Sequence, residues 1–110
     1  MKVYDTVNIA NTAVAAHPAR PATSLVHDSA DARVVLFRLD PGQEVAVHTS
    51  ASTVMLTVLA GNGSVSGADG ERTVRPGDMV VYDAHEPHGM RAAAEQLVIS
   101  AVIAPRPSTR

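Results

Sequence analysis

Apolar and polar residues alternate along most of the chain in short runs that end at glycine, proline or aspartate. Runs of this length that are rich in valine, isoleucine, leucine and threonine predict β-strands. The predicted strands cover residues 34–39, 44–48, 53–60, 64–66, 72–74, 79–82, 88–91 and 97–103. Strands separated by turns at intervals of about eight to twelve residues are typical of a β-sandwich or small barrel. We therefore expect an all-β fold.

The alternation also predicts which side chains share a face of each strand. In residues 44–48, a regular strand places Glu44, Ala46 and His48 on one face and the intervening valines on the other. Ser50 falls in step with His48 if the strand continues. The run at residues 53–60 is almost entirely apolar, which favours a strand covered on both faces.

The 110-residue length predicts a single domain, residues 1–110, with a barrel core at about residues 33–103. Residues 1–30 are expected to form an N-terminal arm. Within it, residues 10–23 contain two prolines and many alanines, a composition compatible with an extended arm or with a short helix that stops before His17-Pro18. Residues 105–110 have nothing to bury and are predicted to be a flexible tail.

Composition excludes several classes of function. The formal net charge is −2, with both signs interspersed, so we expect neither a nucleic-acid partner nor a membrane partner. Cysteine is absent, which rules out disulfides, thiolate metal sites and a thiol nucleophile. Aromatic residues make up 3% of the chain, too few for a stacking platform. With no leader-like start and no membrane-length apolar run, we expect a cytoplasmic protein.

Two segments each contain a turn, then a strand, then a histidine: the first runs from Gly42 to His48, and the second from Arg75-Pro76-Gly77-Asp78 to His88. These two turn-strand-histidine units resemble the two sequence motifs of the cupin superfamily. In the first unit, Gly42 and His48 match the opening of the first motif and Gly61 matches its last glycine. Ser50 stands where the second histidine of the motif belongs, and Val54 stands where its glutamate belongs. The first unit therefore looks like a cupin motif that has lost two of its metal ligands.

The similarity spans about residues 33–103, and the second unit lies in its C-terminal half. His85 replaces the usual loop glycine of the second motif, and Ala92 replaces its asparagine. The positions that match are Gly70, Arg75-Pro76-Gly77-Asp78, residues 79–82 and His88. The resemblance implies a small single-domain cupin, an antiparallel β-barrel of the jelly-roll type.

Cupin metal sites combine histidine and glutamate donors, which suit Zn, Fe, Ni or Mn. Carried over position by position, the resemblance leaves only His48 and His88 as metal ligands. Two imidazoles fall short of a complete site, since catalytic zinc and facial-triad iron each have three protein ligands. A third donor would have to come from a bound ligand or from a nearby side chain. The nearby candidates are Glu44, His85 and Glu86.

Three functions remain open, and we rank them in this order. The first is a small-molecule-binding or sensory cupin with its pocket in the barrel lumen. The residues expected to line that pocket are His48, Ser50, Val54, Leu56, Tyr82, His88 and Met90. The second is a metal-dependent enzyme of the dioxygenase or isomerase type that uses both histidines and an unrecognised third ligand. The third is a metal-free epimerase or lyase with a histidine base and Tyr82 as the acid.

A simpler interpretation of the histidines is equally open. His48 and His88 would then be neutral pocket-lining residues that hydrogen-bond to Ser50 or Tyr82. We also expect a homodimer, because a barrel this small protects its edge strands by pairing them with another copy, and the N-terminal arm is a natural strand to lend.

Overall fold

The computed structural model describes residues 1–107 of the chain. It contains one short helix and nine strands in that range. Their bounds are α1(Thr6–Thr12), β1(Ala22–Asp28), β2(Arg33–Leu39), β3(Glu44–His48), β4(Thr53–Ala60), β5(Gly63–Gly67), β6(Gly70–Val74), β7(Met79–Tyr82), β8(His88–Ala92) and β9(Leu97–Ala104).

The strands form two antiparallel sheets that pack face to face. One sheet has five strands in the order β1-β2-β9-β4-β7, and the other has four in the order β3-β8-β5-β6. This arrangement confirms the predicted all-β, antiparallel jelly-roll fold. Strand β7 is an edge strand of the five-stranded sheet and β6 is an edge strand of the four-stranded sheet, on the same side of the sandwich. The two strands follow each other in the chain but form no hydrogen-bonded pair.

The side chains buried between the two sheets are almost all aliphatic. The contiguous core cluster draws on both sheets and consists of Leu39, Val54, Leu56, Val58, Val65, Val74, Tyr82, Met90, Ala92, Leu97, Ile99 and Ala101. Each fully buried leucine, isoleucine or valine side chain contributes roughly 1.5–3 kcal/mol through removal from water. The inner faces of β4 and β9 supply half of this cluster, which makes these two strands the centre of the fold.

Strand β4 differs from its prediction on one point. Its inner residues Val54, Leu56 and Val58 are buried, whereas the alternate residues Met55 and Thr57 are only partly covered. The helix α1 lies mainly against β1, β2 and β9. The strand is therefore covered fully on one face only.

The N-terminal segment is ordered and covers the outer face of the five-stranded sheet. Asp5 caps α1 by accepting a hydrogen bond from the Asn8 backbone N–H at 3.2 Å. At the other end, Nη1 of Arg38 donates to three backbone carbonyls, those of Ala10, Asn11 and Ala13, at 2.9, 3.1 and 2.8 Å. A cation at this end complements the helix dipole. The strand β1 that follows pairs with β2 and has no counterpart among the predicted strands.

Two glycines occupy turns that other residues would strain. Gly61 has φ 77°, and a Cβ added to it would stand 1.6 Å from the Gln96 carbonyl oxygen. Gly70 has φ 115°, as the Asp69-Gly70 hairpin turn predicted. Both positions therefore require glycine, the first for space and the second for backbone conformation.

The C-terminal segment is anchored as far as the structure describes it. Arg106 bonds the Asp28 carboxylate through Nε at 2.6 Å and Nη2 at 3.1 Å. Arg33 reaches the same carboxylate at 3.3 Å. The Ser52 hydroxyl donates to the Pro105 carbonyl at 2.6 Å. The flexible tail predicted for residues 105–110 is thus held at its first two residues, and residues 108–110 lie outside the described part.

The two arginines that bond Asp28 predict how the stability of the fold depends on pH. The hydrogen bond from Arg106, followed by the one from Arg33, lowers the pKa of the Asp28 carboxyl to about 2. A carboxyl with a lowered folded-state pKa stabilises the fold above its unfolded pKa of about 4, and that stabilisation is lost as the pH falls towards 2. We expect Asp28→Asn to lower the melting temperature at pH 7 and to flatten its decline between pH 4 and pH 2.

Thermal unfolding followed by circular dichroism at each pH measures this effect. Asp31→Asn is the matched control, because Asp31 is an exposed carboxylate nearby that takes no part in the Asp28 cluster. Equal pH profiles for the two variants would contradict the role assigned to Asp28.

Candidate functional site

The structure brings His48 and His88 together on neighbouring strands. Strands β3 and β8 pair antiparallel, and the two histidines are directly opposite each other in the register. Their ring centroids are 4.2 Å apart and the rings are tilted by 60°. His88 is buried, with 6% of its surface exposed, and His48 is exposed. The pair therefore reaches from the interior to the solvent.

A β-bulge in β3 creates this pairing and corrects the predicted faces. Val45 lies opposite Met90 and His48 lies opposite His88, so three steps along β3 match two along β8. The extra residue shifts the alternation, because a bulge places two residues against one on the partner strand. His48 consequently shares the face of Val45. The prediction that His48 shares a face with Glu44 is wrong, and Glu44 instead lies opposite the exposed Arg91.

Backbone hydrogen bonds fix the orientation of both imidazole rings. Nδ1 of His48 lies 2.9 Å from the Ala46 carbonyl oxygen, and Nδ1 of His88 lies 3.0 Å from the Glu86 carbonyl oxygen. A carbonyl oxygen only accepts, so each Nδ1 carries the proton and donates it. In the neutral ring, Nε2 then keeps its lone pair. No hydrogen bond within residues 1–107 reaches either Nε2, and neither ring bonds the predicted partners Ser50 and Tyr82.

Tyr82 approaches the histidine pair from the other sheet. The Tyr82 ring centroid is 5.0 Å from that of His88, and Val54 lies opposite Tyr82 in the β4–β7 register. The phenol donates a hydrogen bond to the Ser66 carbonyl at 2.8 Å. Burial raises the pKa of the Tyr82 phenol, and the negative charges of Glu86 and Asp69 raise it further. The phenol therefore stays protonated at neutral pH.

The other predicted pocket residues lie in different surroundings. Leu56 and Met90 are packed into the core cluster. Ser50 is at the end of β3, where its hydroxyl accepts from the Ser52 N–H at 3.1 Å and its carbonyl accepts from the His85 N–H at 2.6 Å. The structure thus brings the Tyr82 ring to the imidazole pair, and the role of all seven predicted residues in binding stays a prediction.

The residues present do not fit a complete metal site. Within residues 1–107, no group of three or more histidine, aspartate or glutamate side chains is arranged to hold a metal ion. Each suggested third donor lies elsewhere. Glu44 pairs with Arg91 at 3.8 Å. Glu86 accepts from the Asp83 N–H at 3.2 Å, and His85 is exposed. Val54, at the glutamate position of the resemblance, offers no donor atom.

The loop before β8 carries an unusual backbone conformation at His85. Its φ is 69°, the only positive value at a non-glycine residue within residues 1–107. This is the position at which the resemblance expects a loop glycine. A side chain in this left-handed region costs about 1 kcal/mol relative to an unstrained backbone. The chain therefore keeps the loop shape of that motif while placing an imidazole on it.

A cleft of about 420 Å³ lies beside the histidine pair and was not predicted from the sequence. It opens between the edges of β6 and β7, and Tyr82 is the only residue of the predicted pocket in its lining. The Asp-Gly turn predicts the hairpin that forms one wall. Nothing in the pattern of residues shows that this hairpin stands apart from β7.

Comparison with known protein families tests the resemblance of this chain to the cupins. The sequence profile of the cupin domain family matches residues 35–103. The chain belongs to the cupin family. The match includes His48, His88 and the strands that carry them, so both histidines of this cupin lie inside the family's own domain.

Solved structures support the same assignment over nearly the whole chain. An RmlC-like cupin protein from Desulfovibrio desulfuricans is 30% identical, with 96% of this chain and 97% of that one covered and a TM-score of 0.81. The TT1209 protein of Thermus thermophilus is 28% identical, with coverages of 97% and 100% and a TM-score of 0.86.

A protein from Klebsiella pneumoniae with a double-stranded β-helix domain shares the fold at a TM-score of 0.82. It is 23% identical, with 96% of this cupin and 91% of that chain covered. A sequence search of curated proteins finds no match. The described part of this cupin contains no helix with the length and apolar character that crossing a bilayer would require.

The strain at His85 predicts a stabilising substitution. We expect His85→Gly to raise the free energy of unfolding by about 1 kcal/mol, because glycine adopts a positive φ without steric cost. Urea denaturation measures the change. His85→Ala is the control, since it removes the imidazole and keeps the strained backbone. A gain in His85→Ala equal to that in His85→Gly would show that the side chain and not the backbone is responsible.

The position of Val54 predicts that a metal site can be restored. We expect Val54→Glu combined with Ser50→His to bind one divalent ion per chain, because the pair of imidazoles then gains a carboxylate and a third nitrogen donor. Elemental analysis after dialysis against Zn²⁺ or Ni²⁺ measures the occupancy. Val54→Gln with Ser50→His is the matched control without the charge. Absence of metal in the first double variant would mean that the first motif is placed in the wrong register.

Proposed function

We propose that this cupin binds a small molecule at the His48–His88 pair. The observation that carries the proposal is the pair of unbonded Nε2 atoms on rings whose Nδ1 atoms are held by backbone carbonyls. Small-molecule sites typically combine an apolar wall with a few converging polar groups. Here Val54 and Tyr82 supply the wall, and the two nitrogens supply the polar groups.

The donor and acceptor pattern of the pair limits the chemistry of the ligand. An Nε2 atom accepts a hydrogen bond when the ring proton is on Nδ1, so the ligand needs hydroxyl or N–H groups that donate. One ring is exposed and the other is buried, which suits a ligand that enters from solvent and is only partly enclosed. A hydroxylated small organic compound meets both conditions.

A metal-dependent cupin enzyme is the second candidate, and the orientation of the rings favours it. Histidines that bind a metal usually donate their other ring N–H to a carbonyl or carboxylate, as both of these do. His48 and His88 would then hold a divalent ion such as Zn, Fe, Ni or Mn, and a bound ligand would have to complete the coordination. Since the described residues supply only two donors, this candidate ranks second.

The metal-free epimerase or lyase ranks third. The raised pKa of Tyr82 keeps the phenol protonated, as an acid would require, but its proton is already donated to the Ser66 carbonyl at 2.8 Å. Both candidate bases donate to backbone carbonyls, and within residues 1–107 no carboxylate accepts a hydrogen bond from either ring.

A homodimer and a cytoplasmic location belong to the proposal as well. The edge strand β1, which belongs to the N-terminal arm, exposes 59% of Leu25. Exposed apolar edge strands favour pairing with a further chain. Light scattering coupled to size-exclusion chromatography measures the number of chains per particle.

The histidine pair is tested by ligand and metal binding to untagged protein purified without chelator. We expect compounds from a panel of hydroxy acids and polyols to raise the melting temperature, and His48→Ala to abolish that rise while unfolding at the same temperature as the parent protein. The exposed ring of His48 contributes little to packing, which is why the fold should persist.

His27→Ala is the matched control, since it removes an exposed histidine from β1. His88→Gln tests the buried partner with a side chain of similar length. Binding that survives in both His48→Ala and His88→Gln would rule out the pair as the site. Metal at one ion per chain in the parent protein, lost in His48→Ala, would place the metal-dependent enzyme first.

A further inference from the structure

The cleft between β6 and β7 has the dimensions of a separate ligand site. Its volume of about 420 Å³ lies within the range of about 300–1,000 Å³ found for small-molecule pockets. The cleft exists because β6 ends one sheet and β7 ends the other, with no ladder between them. The Tyr82 ring stands between this cleft and the His48–His88 pair.

The floor of the cleft is apolar. Val65 and Val74 are buried core residues on the β5–β6 hairpin, and Val80 packs against the same core from β7. All three line the cleft together with the Tyr82 ring. A ligand placed here would bury a hydrocarbon portion against these side chains.

Two carboxylates converge above the bare backbone of Gly67 at one end of the cleft. A Cβ added to Gly67 would stand 3.4 Å from Asp69 Oδ1, 3.4 Å from Glu86 Oε2 and 3.4 Å from Cε1 of Tyr82. The two carboxylate oxygens therefore lie on the side of Gly67 that carries no side chain, next to the aromatic ring of Tyr82. Their sister oxygens are engaged, since Asp69 Oδ2 accepts from Arg72 at 3.0 Å and Glu86 Oε1 accepts from the Asp83 N–H at 3.2 Å.

The lining of the cleft carries more negative than positive charge. Asp69, Asp78 and Glu86 contribute carboxylates, and Arg72 is the only basic residue in the lining. Burial raises the pKa of the Tyr82 phenol, and the charges of Glu86 and Asp69 raise it further. A cation is therefore favoured in the cleft over a neutral or anionic group.

We propose that the cleft binds a small organic amine, with its ammonium group above Gly67 between Asp69 Oδ1 and Glu86 Oε2. The hydrocarbon part lies on Val65, Val74 and Val80, and the face of Tyr82 adds a cation–π contact. This site is distinct from the one proposed at the histidine pair, and it differs in taking a positively charged ligand.

Amide NMR titration with n-butylammonium chloride tests the proposal, with n-butanol as the uncharged probe of the same shape. We expect saturable shifts of the Gly67 amide and its neighbours with the amine, and at least tenfold weaker binding of the alcohol. Glu86→Gln should weaken binding of the amine by about tenfold, because it removes the negative charge and keeps the oxygen that accepts from the Asp83 N–H.

Gly67→Ala provides a second variant that should fold, since a Cβ there meets its neighbours at ordinary contact distances of 3.4 Å. The added methyl group narrows the space beside the ammonium position and should weaken amine binding. Glu71→Gln is the matched control, because Glu71 is on the same hairpin but pairs with Arg91 at 3.1 Å outside this cleft.

The outcomes separate this proposal from the one at the histidines. His48→Ala should leave amine binding unchanged, even if it abolishes binding of the hydroxylated compounds. Absence of saturable shifts at Gly67, or equal weakening by Glu71→Gln and Glu86→Gln, would overturn the amine site. Equal binding of n-butanol and the amine would leave an apolar cleft without the proposed role for the carboxylates and would overturn it as well.

Discussion

The close packing of aliphatic side chains between the two sheets is the constraint on which the rest of the molecule depends. Leu56, Leu97 and Ile99 are almost completely buried, and they belong to strands that pair with each other at the centre of the larger sheet. With aromatic residues at 3% of the chain, this interior relies on the fit of branched side chains. Removing one of them would leave a cavity, which typically costs about 2–5 kcal/mol.

This packing also decides where function can be located. Leu56 and Met90 fill the space that a wide barrel would leave open, so polar groups gather at the rim and along the side of the sandwich. The histidine pair is at the rim, partly exposed, and the cleft is on the side where β6 and β7 separate. In this cupin, Ser50 and Val54 stand at two positions where the resemblance expects metal ligands, and backbone hydrogen bonds orient the two imidazoles.

The sequence predicted the strands and turns well because these depend on local patterns. The two turn-strand-histidine units also indicated that His48 and His88 belong to one site. The face of His48 could not be predicted, because a β-bulge is a property of two paired strands and β3 alone shows regular alternation. A short helix is one of the two alternatives that the sequence offers for residues 10–23, and its actual bounds, Thr6–Thr12, could not be predicted. Its apolar side is short, and Arg38, which donates to the Ala10 carbonyl, lies far along the chain. The carboxylates around Gly67 likewise meet only after the hairpin and the β7–β8 loop have folded.

Tyr82 gives this protein an optical probe at a useful place. The chain contains no tryptophan and two tyrosines, so its intrinsic ultraviolet emission comes from Tyr4 and Tyr82 alone. Tyr4 is exposed, whereas the Tyr82 ring contacts the histidine pair on one side and the cleft on the other. In a Tyr4→Phe background, fluorescence would come from a single ring, and occupation of either site would alter its lifetime without any attached dye.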